Sequence, residues 1–488
     1  ILLNDSDTVD INGNLDVDGG TIKLDGNYPT GTRNVALGDG ALDDGSLTGG
    51  CNVAIGNNAL TVNTTGNSNT VVGEQAMACN TTGYHNTAVG RNALVANTTG
   101  KCNVAIGRYA LFDNQTGLNN VAVGAESLEN STVSNNSALG YRALRQTTTG
   151  TSNTGLGAYS LLSNTTGANN VAVGMSALTS NVTGAANTAV GTCALQNVDA
   201  NGNNAFGYFA LYNTSSGTCN VAIGQDNTRC NTTGSCNVSI GNQSLRANTT
   251  GVRNTAIGIL SLNANTTANN NTAVGKSSLA VNTEGHSNVA VGANALDANT
   301  TGCQNVAIGM DALTTNTTAS NNTAVGDEAL KANTTGTRNV AVGYLTLTNN
   351  VTGGNNTALG FCAGTSNTGT ANTAIGDSAL RLNTANDNTA VGNRALYSNT
   401  TGTLNTSIGY QALCANTTAD NNTALGYRSL CANTTGIENT AVGNIALTNS
   451  TTGGGQTAVG NGALYTNTTG SENTALGKSA LFLNSTGN

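Results

Sequence analysis

The segment from Asn86 to Cys102, NTAVGRNALVANTTGKC, contains the pattern that decides the fold. It opens with the element N-[T/V]-A-[V/I/L]-G, whose closing glycine recurs every seventeen residues, as at Gly56 and Gly73. The series runs from Gly38 to Gly477 and gives 27 copies. The first step, to Gly56, is eighteen residues, and four steps of sixteen end at Gly140, Gly207, Gly376 and Gly392. A period held over most of the chain predicts an array of one repeated structural unit.

The composition excludes most other architectures. The 488 residues include 63 Gly, a single Pro and no Trp, with only 3% aromatic and 9% charged residues. A core filled with aromatic rings is therefore excluded, and a disordered chain usually carries more charge and more proline. Glycine has no three-residue period, which excludes collagen. No run of about 18 apolar residues is present, which argues against a membrane span.

Each copy has two apolar positions. The residue before the motif glycine is aliphatic or, at Phe206, aromatic, and Leu recurs four residues after that glycine, as at Leu94. Met77 replaces this Leu conservatively, whereas Thr228 and Gly364 are exceptions. We predict two short extended pieces in each copy, around NTAVG and around NALVA, and a turn at NTTG.

A helix is the alternative for this spacing, because apolar residues four apart can share a helix face. The flanking Gly and Asn-Thr-Thr-Gly are poor helix-interior residues, and helical repeats usually need two helices and more than about thirty residues. The sequence therefore predicts an all-β fold, a parallel β-solenoid of 27 coils of roughly seventeen residues.

Stacked coils place equivalent residues roughly 4.8 Å apart. We expect Asn and Thr to form side-chain ladders and the aliphatic residues to form stripes along the stack. The second and fourth residues of NTAVG share one face of the strand, and Asn, Ala and Gly share the other. Two different apolar faces suggest that one packs inside the coil and the other meets a neighbouring chain, but the sequence leaves open which does which.

The motifs Asn52-Val53-Ala54-Ile55-Gly56 and Asn103-Val104-Ala105-Ile106-Gly107 resemble the head repeat of trimeric autotransporter adhesins of the YadA type. That family builds a left-handed parallel β-roll from a similar element, and three rolls pack about a common axis. The present unit is longer, mainly through the NTTG loop, and looks like repeat arrays in tail-fibre and virion structural proteins of phages. The resemblance covers residues 34–487 and implies a left-handed roll and a homotrimer.

Residues 1–33 differ from the array at 34–488. They read as an Asp-rich segment of short strands, as in Thr8-Val9-Asp10-Ile11, and look like a junction to a preceding module. Its aspartates could bind calcium but match no EF-hand loop, and we interpret them as solvated residues of alternating strands. Because the sequence starts at Ile1 and ends at Asn488 within a repeat, we expect a segment or a processed product.

The eleven cysteines show no zinc-binding spacing. Cys219 and Cys236 are one period apart, as are Cys414 and Cys431, and coil stacking places such pairs slightly beyond the usual disulfide Cβ separation. We expect free thiols, buried in place of small residues. Their odd number fits folding in a reducing cytoplasm.

The sequence predicts no catalytic residue, no cofactor-binding site and no metal site. The two histidines, His85 and His286, have no recurring triad partner and are interpreted as loop variation. Carboxylates are too sparse along the coils to indicate a glycosidase pair. Tracts such as Asn63-Thr64-Thr65 match the N-glycosylation pattern, but in a repeat we interpret them as ladder and loop residues.

We therefore predict a non-enzymatic fibrous structural protein, the homotrimeric shaft of a phage tail or capsid fibre that supports host attachment. The net charge of −8 argues against nucleic acid as a partner, and we expect no membrane insertion. The expected partners are other fibre or virion modules at both ends, and host surface glycans contacted by loop residues such as Tyr84, Lys101 and Arg253. The protein would assemble in the host cytoplasm and act in the virion; the alternative is a bacterial cell-surface trimeric adhesin or a self-assembling extracellular filament.

Overall fold

The computed structural model describes residues 32–488, which form short β-strands, turns and loops and contain no helix. They fall into two compact units that divide between Thr166 and Gly167. Each unit is a parallel β-solenoid with one three-residue strand per coil, which confirms the predicted fold. The predicted segment 1–33, with its aspartates, lies outside the described residues except for its last two positions.

The strands occupy the centre of each N-[T/V]-A-[V/I/L]-G element. The first unit contains β1 (Val35–Leu37), β2 (Val53–Ile55), β3 (Thr70–Val72), β4 (Thr87–Val89), β5 (Val104–Ile106), β6 (Val121–Val123), β7 (Ser137–Leu139) and β8 (Thr154–Leu156). The second unit contains β9 (Val171–Val173), β10 (Thr188–Val190), β11 (Asn204–Phe206), β12 (Val221–Ile223), β13 (Val238–Ile240), β14 (Thr255–Ile257), β15 (Thr272–Val274), β16 (Val289–Val291), β17 (Val306–Ile308), β18 (Thr323–Val325), β19 (Val340–Val342), β20 (Thr357–Leu359), β21 (Thr373–Ile375), β22 (Thr389–Val391), β23 (Thr406–Ile408), β24 (Thr423–Leu425), β25 (Thr440–Val442), β26 (Thr457–Val459) and β27 (Thr474–Leu476).

Within each unit, every strand pairs in parallel with the strand of the next coil, residue for residue. Ala54 pairs with Val71 in the first unit, and Ala256 pairs with Ala273 in the second. The sixteen-residue steps keep the same register, since Thr188 still pairs with Asn204. The missing residue is therefore taken from the loop that replaces NTTG and not from the strand.

Each strand ends at the motif glycine because the chain turns there in a conformation that other residues rarely adopt. Gly275 has φ +133°, and a Cβ atom at this position would lie 2.4 Å from the carbonyl oxygen of Gly292 in the next coil. Both the dihedral angle and the close approach of the neighbouring backbone require glycine. The recurrence of this residue is thus a direct consequence of coil stacking.

The second predicted extended piece, around NALVA, is wrong: this segment is a turn. Asn92 and Leu94 both have left-handed backbone angles, φ 58° and 53°. The Asn92 N–H donates to the carbonyl of Glu74 in the preceding coil (3.0 Å), and the Leu94 N–H donates to Ala110 in the following coil (2.9 Å). A left-handed non-glycine residue costs roughly 1–2 kcal/mol. Burial of the Leu side chain, worth about 1.5–3 kcal/mol, offsets that cost.

The core is narrow and consists mainly of this Leu and of the alanines of the coil. In the coil of β16, Ala290, Ala295 and Leu296 are fully buried. One of the two exceptions in the sequence, Thr228, is accommodated locally. Thr228 stands in the Leu position, and its hydroxyl donates to Asn227 Oδ1 (2.9 Å) and contacts the hydroxyl of Ser239, which replaces a strand alanine.

Two ladders of buried asparagines run along each stack, as predicted. In the first ladder, the motif Asn69 donates its backbone N–H to Asn52 Oδ1 (3.0 Å) and its side-chain amide to the Gly83 carbonyl (2.9 Å). In the second, the loop residue Asn80 donates its side-chain amide to Asn63 Oδ1 (2.7 Å). Most of the asparagine amides that the turns bury are therefore paired with the neighbouring coil, although Asn114 and Asn350 each keep a side-chain oxygen without a partner among residues 32–488.

One ladder defect is repaired by a paired substitution. Ser450 interrupts the loop ladder, and the same coil boundary carries Gln456 in place of the motif Asn. The longer Gln456 side chain donates to Ser450 Oγ (3.0 Å) and accepts from the Asn467 amide (2.8 Å). The repair is incomplete, because buried Asn433 Oδ1 has no hydrogen-bond partner within residues 32–488.

Candidate functional site

The fourth residue of the repeat element is a partly exposed apolar residue in every copy, and together with the second residue, which is Val or Thr in most copies, it forms a surface that we call the outward stripe. In the second unit, the fourth residues Ile223, Ile240 and Ile257 are 39%, 38% and 36% exposed, although Ala256 beside Ile257 is fully buried. The structure thus answers the question that the sequence left open. The alanine face packs inside the coil, and the Val/Ile face lies on the surface.

Large apolar residues directly after the motif glycine widen this stripe. Tyr410 and Tyr427 stack at a ring distance of 5.4 Å with an interplanar angle of 9°, and Tyr344 stacks on Phe361 at 5.5 Å. All four rings are exposed. Other exposed apolar residues at this position are Tyr141, Met175, Tyr208, Ile259 and Met310. We did not predict this border, although its signal is present in the sequence, because the position after the glycine repeatedly carries a large apolar residue.

The outward stripe is suited to contact with another apolar surface. Its backbone N–H and C=O groups already bond along the stack, as between Val289 N–H and the Asn305 carbonyl (2.8 Å). Burying the stripe therefore leaves no backbone group without a partner. Exposed apolar patches of this kind mark interaction sites.

The side chains that could ligate a metal ion form no cluster in the described part of the chain. His85 and His286 are both exposed loop residues, and His85 contacts the edge of the Tyr84 ring. Among residues 32–488, no three His, Cys, Asp or Glu side chains converge on a point where a metal ion could bind. The same residues contain no helix that is long and apolar enough to cross a membrane.

Two of the three loop residues predicted to contact glycans touch each other. Lys101 lies over the Tyr84 ring of the preceding coil, 5.2 Å from its centroid, and a hydrogen bond with Tyr84 raises the pKa of Lys101. Arg253 is an exposed residue of the second unit. The structure thus brings Tyr84 and Lys101 together.

An ion cluster in the first unit is centred on one carboxylate. Glu126 is nearly buried and contacts Arg142 at 2.7 Å, Arg108 at 3.0 Å and Arg145 at 3.5 Å. The hydrogen bond from Arg142 is the main reason that the pKa of Glu126 is lowered, and burial opposes it. The charged carboxylate thus stabilises the fold above its unfolded pKa, and this contribution is lost as the pH falls through the lowered value.

The cysteines are less buried than we predicted. All eleven are free thiols, and among them Cys362 alone is buried. The expectation of burial is wrong for Cys219 and Cys236, because their turn precedes the motif Asn, where side chains point to solvent. Cys414 and Cys431 are half-buried, and their interaction raises the pKa of Cys414 and lowers the pKa of Cys431.

The N-glycosylation patterns of NTT tracts such as Asn63-Thr64-Thr65 belong to the loop ladder. Asn63, Asn80 and Asn97 are fully buried, and their amides bond to neighbouring coils. Their interpretation as ladder residues is confirmed. The folded chain does not present these amides to solvent.

The stacked coils place the chain in the class of parallel β-solenoid repeat proteins. Neither the profiles of known protein families nor the sequences of curated proteins gave a match to it.

Proposed function

We propose that the chain is the shaft of a phage tail or capsid fibre and that it works as a homotrimer of left-handed β-rolls. The observation that carries this proposal is the outward stripe. It recurs in every coil of both units and has no role in the core of its own coil.

Trimer formation would bury the stripe against two other copies. Complete burial of a half-exposed Val or Ile contributes on the order of 1 kcal/mol. The contribution of a single coil is small, but nineteen strands of the second unit present the same face. The terms add along the stack, so a long array favours association far more strongly than a short one.

The proposed role is mechanical and non-enzymatic. Coils that contact only their neighbours, with backbone pairing at every step, give a stiff element. Such a shaft holds a receptor-binding module away from the particle. Other fibre or virion modules would join its ends, and Tyr84 and Lys101 form a pair that host glycans could contact.

The oligomeric state tests the proposal directly. Sedimentation equilibrium of the purified chain is expected to give three times the chain mass of 48.5 kDa. The double variant Ile240→Lys/Ile257→Lys places charges in the stripe and is expected to lower the trimer content at least tenfold. Val281→Lys is the matched control, because Val281 is 45% exposed but lies outside the stripe. A monomeric or dimeric wild type, or equal effects of the stripe and control variants, would refute the trimer.

Whether the array belongs to virions or to bacterial cells requires a second measurement. Antibodies against the repeat array, viewed by electron microscopy, are expected to label fibres on virions. Labelling of bacterial cell surfaces instead would favour the bacterial adhesin or filament over the phage fibre as the function.

A further inference from the structure

Cys414 and Cys431 occupy equivalent positions on adjacent coils. Each follows a buried left-handed Leu, and the two turns are held in register by hydrogen bonds from Leu413 N–H to the Ser429 carbonyl and from Ala415 N–H to the Cys431 carbonyl, both 3.0 Å. A coil spacing of about 4.8 Å lies within the Cα separations that disulfides accept, about 4.4–6.8 Å, and only slightly beyond the usual Cβ separation, so a small shift of the two turns closes the bond. Because the two residues hold the same position in consecutive coils, their side chains are neighbours along the stack.

Two arginines give this pair a distinct electrostatic setting. The hydrogen bond from Cys414 lowers the pKa of Cys431 to about 6; burial opposes this shift, and Arg428 and Arg394 reinforce it. The guanidinium of Arg394 lies 4.7 Å from the centroid of the Tyr397 ring. The same thiol contact raises the pKa of Cys414. The lowered pKa of Cys431 and the raised pKa of Cys414 favour Cys431 as the attacking thiol, and both residues are only half-buried and can be reached from solvent.

We propose that Cys414 and Cys431 form a redox site that reacts with low-molecular-weight disulfides and closes into a disulfide between neighbouring coils. The Cys431 thiolate attacks one sulfur of the small disulfide, forms a mixed disulfide and displaces one small thiolate. Cys414 then gives up its proton to that thiolate and attacks the Cys431 sulfur, which releases the second small thiolate. Two protein thiols are oxidised, and one small disulfide is reduced to two thiols.

The second step is helped by the first. The hydrogen bond with Cys431 is the main cause that raises the pKa of Cys414, followed by burial and by the charge of the Cys431 thiolate. Once Cys431 carries a neutral mixed disulfide, the hydrogen bond and the charge no longer act and burial alone remains. Cys414 then becomes the resolving thiol.

The chain contains an internal control. Cys219 and Cys236 are also one period apart, but they are exposed, and Ser216 and Thr233 stand three residues before them. Arg428 stands three residues before Cys431. The two pairs therefore share their stacking and differ in burial and in the neighbouring cation.

Thiol mapping of the folded full chain tests the proposal. The protein is incubated with oxidised glutathione at pH 7, quenched with an alkylating agent and cleaved before Asp387 and Asp420, which separates Cys414 from Cys431. The linked fragments 387–419 and 420–488 are expected to form on the order of tenfold faster than a Cys219–Cys236 link. Cys414→Ser is expected to leave a persistent glutathione adduct on Cys431.

Arg428→Gln is expected to slow the reaction of Cys431 severalfold, whereas Arg253→Gln, an exposed arginine elsewhere, is expected to leave it unchanged. Hydrogen exchange of the Leu413 and Leu430 amides checks that the turns remain folded in both variants. The proposal would be overturned if glutathione adducts were distributed evenly over the exposed cysteines and no linked fragments formed. Equal Cys431 rates in the wild type and in a folded Arg428→Gln variant would do the same.

Discussion

The inward and outward faces of the strands are one residue apart along the chain, yet they obey different rules. The inward position is Ala in most coils and is replaced by the small Ser239, Ser407 and Gly155 or, at the largest, by Val71. The outward fourth position accepts Val, Ile, Leu and Phe. The comparison shows that space inside a thin coil limits the first position. No residue of the same coil limits the outward fourth position, which is free to contact another molecule.

The largest loss of stability is expected when a buried side chain inside the coil is shortened. Leu296→Ala removes a fully buried side chain, and it should cost about 2–5 kcal/mol, because the narrow coil cannot collapse around the cavity. The measurement is native-state hydrogen exchange in the coils of β15 to β17, since long repeat arrays do not unfold in two states. Ile308→Ala on the outward stripe is the matched control in the isolated chain. Equal loss of protection in both variants would erase the distinction between the faces.

A smaller effect is expected from overfilling the inward side. Ala290→Leu adds three carbons between strand and turn, and it should cost about 1–3 kcal/mol. Val289→Leu, the adjacent outward residue, should stay within about 0.5 kcal/mol. Local exchange rates or the urea midpoint of the second unit report the difference. If Val289→Leu were the more damaging of the two, the assignment of the inward face would be wrong.

The smallest effect sharpens the rule for polar groups inside the coil. Ser450→Asn with Gln456→Asn restores both ladders and gives Asn433 Oδ1 a donor, so we expect a gain of about 1 kcal/mol. Each single change should destabilise, because Ser450 and Gln456 are hydrogen-bonded to each other. A double-mutant cycle followed by native-state hydrogen exchange in the coils of β25 to β27 measures this coupling. Additive single effects would show that the two substitutions are independent.

The period, the strands and the glycine corners were predictable because each depends on local chemistry repeated many times. The turn at Leu94 was not, because Leu avoids left-handed angles on its own and adopts them here only through bonds to both neighbouring coils. The identity of the inward face depends on how the whole coil closes, which no single motif contains. The predicted cysteine pairs looked alike in sequence, and their difference depends on Arg428 and on the direction in which each turn points its side chains.

The four shortened coils have one further consequence. Residues are lost from the loop, while the strand register, as between Thr357 and Thr373, is unchanged. Any coil therefore offers the same pair of edges to whatever precedes or follows it. At the level of the gene, unequal recombination between two copies would add or delete whole coils and still join compatible edges. The length of such an array can thus be inherited as a number of copies, and selection can adjust it without redesigning a single contact.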